Sequence, residues 1–252
     1  MFDFNKQAYK ISELTKKYEG SKEPAINNIS FAIESGERYG LLGPNGAGKT
    51  TTISVLCGLL KQSKGSVEFF GVNIEKHLAE IKKVIGVVPQ DLALYSSLTA
   101  RENLRFFGNM YGFRGKYLEK RIDECLELLG LEKNADRKIS TFSGGMKRRT
   151  NLIAAVLHKP RVLILDEPTV GIDVQSRNVI LEYLMDTGNR DTTIIYTTHY
   201  LEEAENLCSR IAIMDNGRIL TEGTPGDLLG DGSKFNRLED FFLNLTGKEL
   251  RD

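Results

Sequence analysis

Short apolar runs separated by turn residues predict that this chain is an α/β protein. We interpret runs of this kind as strands at residues 9–15, 26–33, 38–42, 66–70, 84–88, 161–165, 192–198, 211–214 and 219–221. The first two runs alternate in part between apolar and polar residues, and the turn-forming stretch 20–24 joins them, which predicts an antiparallel pair. The sequence Asp215-Asn216-Gly217-Arg218 predicts a tight hairpin turn before the last run.

Helical periodicity replaces the strand pattern between residue 92 and about residue 149. Ser97 or Thr99, followed by Glu102, predicts a capped helix start and a helix that ends near Met110. A second helix is predicted over residues 116–129, with one apolar face and a closing glycine. Further helices are predicted over residues 52–60, 143–157 and 238–245.

Composition narrows the range of partners and compartments. The 252 residues include 34 basic and 34 acidic side chains, so the formal net charge is zero and no nucleic-acid partner is expected. The cysteines Cys57, Cys125 and Cys208 lack metal-like or paired spacing, which suits a reducing compartment. We expect neither a secretory leader nor a membrane span, because no apolar run approaches about 20 residues, and therefore a chain that is soluble by itself.

The strongest chemical signal is a glycine-rich loop between a predicted strand and a predicted helix. It fits the pattern G-x-x-x-x-G-K-[ST] over Gly43, Pro44, Asn45, Gly46, Ala47, Gly48, Lys49, Thr50 and Thr51. Loop N–H groups and the helix dipole favour phosphate there, so the pattern predicts a bound nucleoside triphosphate. Lys49 is expected at the β- and γ-phosphates, and the Thr50 hydroxyl on Mg²⁺. The alternative is a glycine-rich turn that merely precedes a helix.

Two carboxylates follow the apolar strand that ends at Leu165. Successive strand residues point to opposite faces, so Asp166 and Glu167 are expected to differ in role. We expect Asp166 to hold Mg²⁺ and Glu167 to deprotonate the attacking water. The alternative is a pair of solvent-exposed acidic residues at the end of a strand, but the phosphate loop upstream argues against it.

Three further features become candidates for nucleotide binding only because a phosphate loop is present. Ser143, Gly144 and Gly145 open a helix and can form a second phosphate-binding surface, although a plain helix cap explains them equally well in isolation. His199 follows a strand and can reach a γ-phosphate, and Tyr18 can stack on a base. A histidine or tyrosine at a strand end is otherwise ordinary packing.

Together these motifs resemble the ATPase subunit of ATP-binding cassette (ABC) transporters, from Tyr18 to about Gly223. The resemblance makes Tyr18 the adenine-stacking ring, residues 43–51 the Walker A loop and residues 163–167 the Walker B strand with its catalytic glutamate. It makes Gln90 the Q-loop glutamine, with a part in catalysis and in Mg²⁺ binding, and His199 the switch histidine. Residues 142–146 resemble the signature motif and residues 171–173 the D-loop. Phe142, Met146 and Val174 depart from the usual Leu, Gln and Pro.

The resemblance also implies an architecture and an assembly. It implies a P-loop ATPase core (1–91 and 150–223) with an N-terminal antiparallel β subdomain, an inserted α-helical subdomain (92–149) and a C-terminal tail (224–252). Two such cassettes pack head to tail, homodimeric or heterodimeric, so that Ser143, Gly144 and Gly145 cap the partner's ATP. An integral membrane permease would then place the chain at the cytoplasmic face of the membrane. The sequences of residues 143–149 and 199–205 resemble those of the drug, antibiotic or polysaccharide exporter branch of the family.

Two other classes of function compete with this interpretation. Some members of the superfamily lack a membrane partner and act on DNA or ribosomes, but they usually carry coiled-coil insertions or tandem cassettes. The balanced charge and the lack of a heptad run disfavour that class here. A nucleotide-binding regulator without turnover is disfavoured because Glu167 and His199 are both present.

Overall fold

Two β-sheets form the framework of the chain in the computed structural model, which describes residues 2–188, 192–230, 235 and 237–247. The smaller sheet is antiparallel and lies mostly in the N-terminal part of the chain. Its strands are β1 (Tyr9–Lys16), β2 (Ile26–Ile33), β4 (Lys64–Phe69) and β5 (Val72–Asn73), in the order β2-β1-β4-β5. The predicted pairing of the first two strands is therefore confirmed.

The larger sheet is parallel except at one edge. It contains β3 (Arg38–Leu42), β6 (Ile85–Val88), β7 (Val162–Asp166), β8 (Thr193–Thr198), β9 (Arg210–Asp215) and β10 (Arg218–Gly223), in the order β10-β9-β3-β8-β7-β6. Only β10 runs antiparallel to its neighbour. Because β3, β7 and β8 are parallel, their carboxyl ends meet at one edge, where open α/β sheets bind ligands.

Burial on both faces explains why the central strands are apolar along their whole length. In β7, Val162 and Ile164 pack into the core shared with the antiparallel sheet. Leu163 and Leu165, which alternate with them, pack into a second core beneath the helices. All five residues of β7 are buried, as expected for a central parallel strand.

Helices cover the larger sheet and fill the region between β6 and β7. The described helices are α1 (Lys49–Leu56), α2 (Leu78–Ile81), α3 (Ala100–Met110), α4 (Gly115–Leu128), α5 (Gly144–Val156), α6 (Val174–Gly188), α7 (Leu201–Leu207), α8 (Pro225–Leu229) and α9 (Leu238–Thr246). Single 3₁₀ turns occur at Ile74–Lys76, Glu132–Asn134 and Ile139–Thr141. Across the described ranges, no helix combines the length and apolarity that a membrane crossing requires.

Most of the predicted elements are confirmed, with boundaries that shift by a few residues. Thr99, rather than Ser97, caps α3, and a full capping box with Glu102 is present. The prediction for α1 was wrong at both ends: the helix starts at Lys49, not at residue 52, and stops at Leu56. The early start follows from the backbone of Gly48, whose φ of 109° turns the loop directly into the helix.

No predicted element covers α2, α6, α7 or α8. The predicted boundary between the helical insertion and the core, at residues 149 and 150, falls inside α5. The predicted tail helix is present as α9, and its residues Leu238 and Phe242 are fully buried in the core that also holds Leu207 of α7. Part of the predicted tail, residues 231–234, 236 and 248–252, lies outside the described residues.

Candidate active site

The glycine-rich loop joins β3 to α1 and requires glycine where the backbone is most crowded. A Cβ atom on Gly48 would lie 2.5 Å from the Ala25 carbonyl oxygen and 2.8 Å from Cε of Met214. The backbone of Gly48 also lies in the left-handed region, which other residues adopt at a cost. The loop is therefore held against β9 and the start of β2 by contacts that only glycine allows.

Lys49 folds back over the loop instead of extending into solvent. Its Nζ donates to the carbonyl oxygens of Gly43 at 2.7 Å and Pro44 at 3.3 Å, and the residue is 6% exposed. Burial lowers the pKa of Lys49, while the nearby carboxylates of Glu167 and Asp166 act in the opposite direction. The ammonium group is thus fixed between the loop and the end of β7.

Asp166 and Glu167 lie at the end of β7 and share Thr197 of β8 as a partner. The Thr197 hydroxyl donates to Oδ1 of Asp166 at 2.6 Å. The amide of Glu167 donates to the carbonyl and hydroxyl oxygens of Thr197, both at 3.1 Å. Glu167 has a φ of 49°, a left-handed conformation that a non-glycine residue keeps only when its surroundings enforce it.

Three side chains converge on the Glu167 carboxylate. His199 Nδ1 lies 3.4 Å from Oε2, and Gln90 Nε2 donates to the same oxygen at 3.5 Å. Lys49 Nζ lies 4.0 Å from Oε1. The structure therefore brings together four predicted site residues from four separate segments of the chain.

Tyr18 lies two residues beyond β1, beside the start of α1. Its ring is partly exposed, and its hydroxyl lies 3.3 Å from the Thr51 hydroxyl. The Lys16 ammonium lies 5.4 Å from the ring centroid. Thr50 and Asn45 are exposed on the same loop and helix start. This places an aromatic ring next to the loop, at the outer side of the site.

The predicted second phosphate surface lies at the start of α5. Ser143 is the N-cap, and its hydroxyl oxygen accepts from the Met146 amide at 3.2 Å. A Cβ atom on Gly145 would lie 2.0 Å from Oγ of Ser176, so this glycine is required by packing against α6. Ser143 and Gly144 remain exposed. Packing within the chain therefore requires glycine at position 145, whereas Gly144 lies on the exposed start of α5.

Two connections in the site were not foreseen from the sequence. Arg148 of α5 donates to the carbonyl oxygens of Gln90 and Pro89, which ties α5 to the segment that follows β6. Thr197, described above, holds the Asp166 carboxylate and the backbone amide of Glu167. The available signal for Thr197 was a hydroxyl residue near the end of β8, the strand that pairs with β7. No pattern in the sequence pointed to Arg148.

The oxygen donors at this edge suit a hard divalent cation. Asp166 offers a carboxylate and Thr50 a hydroxyl, which are ligand types that Mg²⁺ prefers. Among the described residues, no group of three or more His, Cys, Asp or Glu side chains could hold a metal ion. Mg²⁺ in nucleotide sites usually takes one or two protein ligands, and substrate phosphates and water supply the others.

A family model described as "ABC transporter" matches residues 26–170, more than half of the chain. The chain belongs to the ABC transporter family. The linearmycin resistance ATP-binding protein LnrL of Bacillus subtilis is 52% identical over 217 residues, covering 86% of this chain and 70% of that protein. The Nod factor export ATP-binding protein I of Burkholderia lata is 43% identical over 204 residues, covering 81% of this chain and 67% of the relative.

Solved structures agree with this assignment across nearly the whole fold. An ATP-binding subunit of an ABC transporter superposes with a TM-score of 0.85 at 28% identity, covering 95% of this chain and 99% of that one. A dimeric cassette bound to ADP and Pi has a TM-score of 0.79 at 27% identity, covering 86% of this chain and 98% of that one. This ABC protein is thus an ATP-binding, ATP-hydrolysing transporter subunit built as an α/β cassette.

Proposed function

We propose that this ABC subunit powers an exporter, with Glu167 as the general base for ATP hydrolysis. The supporting observation is the convergence of Lys49, Gln90 and His199 on the Glu167 carboxylate beside the phosphate loop. The relatives named for linearmycin resistance and Nod factor export support the direction of transport. A base for ATP hydrolysis must reach the water that attacks the γ-phosphate, and the short distance from Glu167 to Lys49 of the phosphate loop supports that role.

The other residues of the site divide between binding and orientation. Residues 43–51 would wrap the phosphates and Lys49 would neutralise their charge. Thr50, Asp166 and Gln90 would hold Mg²⁺. When bound, Mg²⁺ neutralises the charge that develops on the phosphates. His199 orients Glu167 and contacts the γ-phosphate, and Tyr18 stacks on adenine.

A second cassette completes each site in this proposal. Ser143, Gly144 and Gly145 would cap the ATP bound by the partner cassette, since a helix N-terminus offers N–H groups to phosphate. The exposure of Ser143 and Gly144 leaves that end of α5 accessible. Dimeric cassettes among the similar solved structures support the arrangement.

The proposed helical subdomain, residues 92–149, would connect the site to a membrane permease and hold the chain at the cytoplasmic face of the membrane. Exposed apolar side chains follow Gln90 and continue onto α3, among them Leu92, Tyr95 and Phe106. The rings of Tyr95 and Phe106 contact each other edge to face at 5.0 Å. A short amphipathic segment of the permease fits such a surface.

The partner can be captured by a crosslinker at Tyr95. The native cysteines Cys57, Cys125 and Cys208 are buried, and burial raises the pKa of Cys57 and Cys208 to about 12, so Tyr95→Cys supplies the reactive thiol. We expect crosslinked membranes to yield an integral membrane protein. Crosslinks only to ribosomal or DNA-bound material would instead favour the class without a membrane partner.

The central test of the proposal is Glu167→Gln. The variant should bind ATP with Mg²⁺ as tightly as the wild type but lose about 100-fold or more in turnover, because only the base is removed. ATP affinity is measured by calorimetry and turnover by phosphate release. Glu182→Gln, which changes an exposed carboxylate on α6, is the control. Turnover of Glu167→Gln near the wild-type rate would reject Glu167 as the base.

A further inference from the structure

A buried carboxylate outside the described site lies directly behind it. Glu203 is in α7, four residues after His199, and is 5% exposed. Its Oε2 accepts hydrogen bonds from the Tyr196 hydroxyl at 2.7 Å, the Thr169 hydroxyl at 2.8 Å and the Thr198 hydroxyl at 3.2 Å. These three donors are themselves fully buried.

The second carboxylate oxygen of Glu203 faces another element. Oε1 lies 3.4 Å from Nε of Arg177 in α6, and the Arg177 guanidinium lies 4.6 Å from the centroid of the Tyr200 ring. A buried charge is tolerated only when it is paired and hydrogen-bonded, and Glu203 has both forms of compensation. One side chain therefore joins α6, α7 and the carboxyl ends of β7 and β8.

The hydrogen bond from Thr169 bears directly on Glu167. Thr169 follows Glu167 by two residues, and the Val170 amide donates to the Glu167 carbonyl at 3.4 Å. The turn after β7 is thereby closed on itself and attached to Glu203 through Thr169. Since Glu167 has a left-handed backbone, this attachment helps to hold a conformation that the isolated turn would not keep.

The hydrogen bond from Thr198 bears in the same way on His199. Thr198 immediately precedes His199, and its hydroxyl oxygen also accepts from the Tyr200 amide at 2.9 Å. The backbone on both sides of His199 is thus attached to Thr198, and Thr198 is attached to Glu203. Both partners of the 3.4 Å contact between His199 and Glu167 are fixed to the same buried carboxylate.

We propose that Glu203 is a positioning residue for ATP hydrolysis, which holds Glu167 and His199 in register through Thr169 and Thr198. This inference rests on the proposed roles of Glu167 and His199. Glu203 would not touch ATP. Its contribution is to fix the distance and orientation between Glu167 and His199. Small displacements of groups that act together lower the reaction rate strongly.

The direct test compares Glu203→Gln with the wild type in turnover and in ATP affinity. Glutamine has the same size but lacks the charge, so its bonds to the three hydroxyls weaken and the pairing with Arg177 is lost. We expect kcat to fall by about 10- to 100-fold. The dissociation constant for ATP with Mg²⁺ should stay within about twofold, because the phosphate loop has no part in this network.

A matched pair of threonines on β8 separates positioning from general stability. Thr198 and Thr193 are both fully buried, and each accepts one backbone amide at 2.9 Å, from Tyr200 and Gly36 respectively. Thr193 is at the opposite end of the strand from His199. Thr198→Val and Thr193→Val should lower the melting temperature to similar extents, and only Thr198→Val should lower kcat. Thr198→Ser should recover most of the lost rate.

The outcomes distinguish this inference from the function on which it rests. Glu167→Gln is assayed in the same experiment. If it is inactive while Glu203→Gln and Thr198→Val keep the wild-type kcat and lose only thermal stability, Glu203 merely supports the fold and the inference is overturned. If Glu167→Gln itself turns over at the wild-type rate, the proposed base is wrong, whatever Glu203 does.

Discussion

At the scale of single residues, Tyr18 shows how a side chain outside the phosphate loop can bear on nucleotide affinity. Its ring lies next to the start of α1, with the hydroxyl near Thr51. Tyr18→Ala should weaken ATP binding by about 1–3 kcal/mol, the worth of one base stack, or roughly 5- to 150-fold in the dissociation constant. Tyr18→Phe keeps the ring and should bind nearly as the wild type. Calorimetric titration measures both, and an unchanged constant for the alanine variant would make Tyr18 an ordinary packing residue.

The residues proposed to bind phosphate could be predicted from the sequence, whereas the residues that hold the site in shape could not. Residues 43–51 and the Asp166-Glu167 pair each carry their chemistry in a short contiguous pattern. Glu203 does not, because it stands beside an identical residue, Glu202, on the same helix. Only the orientation of α7 decides that Glu202 is exposed while Glu203 is buried against three hydroxyls.

At the scale of whole elements, the helical segment meets the sheet through a stacked pair of rings. Tyr111 follows α3 and His158 follows α5, and their ring centroids are 3.6 Å apart with an interplanar angle of 6°. His158 Nε2 hydrogen-bonds the Ile85 carbonyl at 2.9 Å, at the start of β6. Burial lowers the pKa of His158 to about 4, although the bond to Ile85 opposes that change.

This lowered pKa predicts a loss of stability in acid. The unfolded chain takes up a proton at His158 below about pH 6.5, whereas the folded chain resists until about pH 4. Stability from the neutral ring is therefore complete above pH 6.5 and falls between pH 6.5 and 4. In urea unfolding, the advantage of wild type over His158→Gln should shrink by about 2 kcal/mol between pH 7.5 and pH 5. A difference that does not change with pH would show that the pKa of His158 is the same in the folded and unfolded states.

No helix was predicted over α6, and its packing explains why. In α6, Ile180 and Leu184 are buried one turn apart, but the neighbouring partly buried residues Val179, Leu181 and Tyr183 widen the apolar surface beyond a single stripe. A helix covered on several sides has a weak amphipathic pattern. Its start was detectable, since Asp173 accepts from the Ser176 amide at 2.9 Å as a helix cap would. By contrast, α3 and α4 were predicted because each has one apolar face.

At the scale of the whole molecule, the proposed composite site can be tested by mixing two inactive variants. Gly145 is a poor choice for the second lesion, because any side chain there meets Ser176 within the same chain. A Cβ atom on Gly144 has 3.6 Å to its nearest neighbour, and Gly144 is exposed. Gly144→Asp should therefore fold, and its carboxylate even suits the first turn of α5.

In an assembled dimer, that carboxylate would repel the partner's γ-phosphate. Lys49→Ala should also be inactive on its own. In the mixed dimer, one site carries both lesions and the other carries none, so phosphate release should reappear on mixing in proportion to the mixed species. Each variant mixed with itself is the control. No recovery, with both variants folded and the wild type dimerising with ATP, would show that Ser143 to Gly145 only cap a helix.

The order of strands in the larger sheet has a consequence for how the protein is made. β3, which carries the phosphate loop, lies between β8 and β9, and a hydrogen bond from Gly36 to Thr193 joins residues 157 positions apart. At about 5–20 residues per second, roughly 10–30 s of synthesis separate β3 from its two neighbours. During that interval β3 lacks the strands β8 and β9 that pair with its two edges. Contacts between residues so far apart in sequence are also slow to form. The phosphate loop is thus translated early, but the two strands that flank β3 are both present only after β9 has been synthesised.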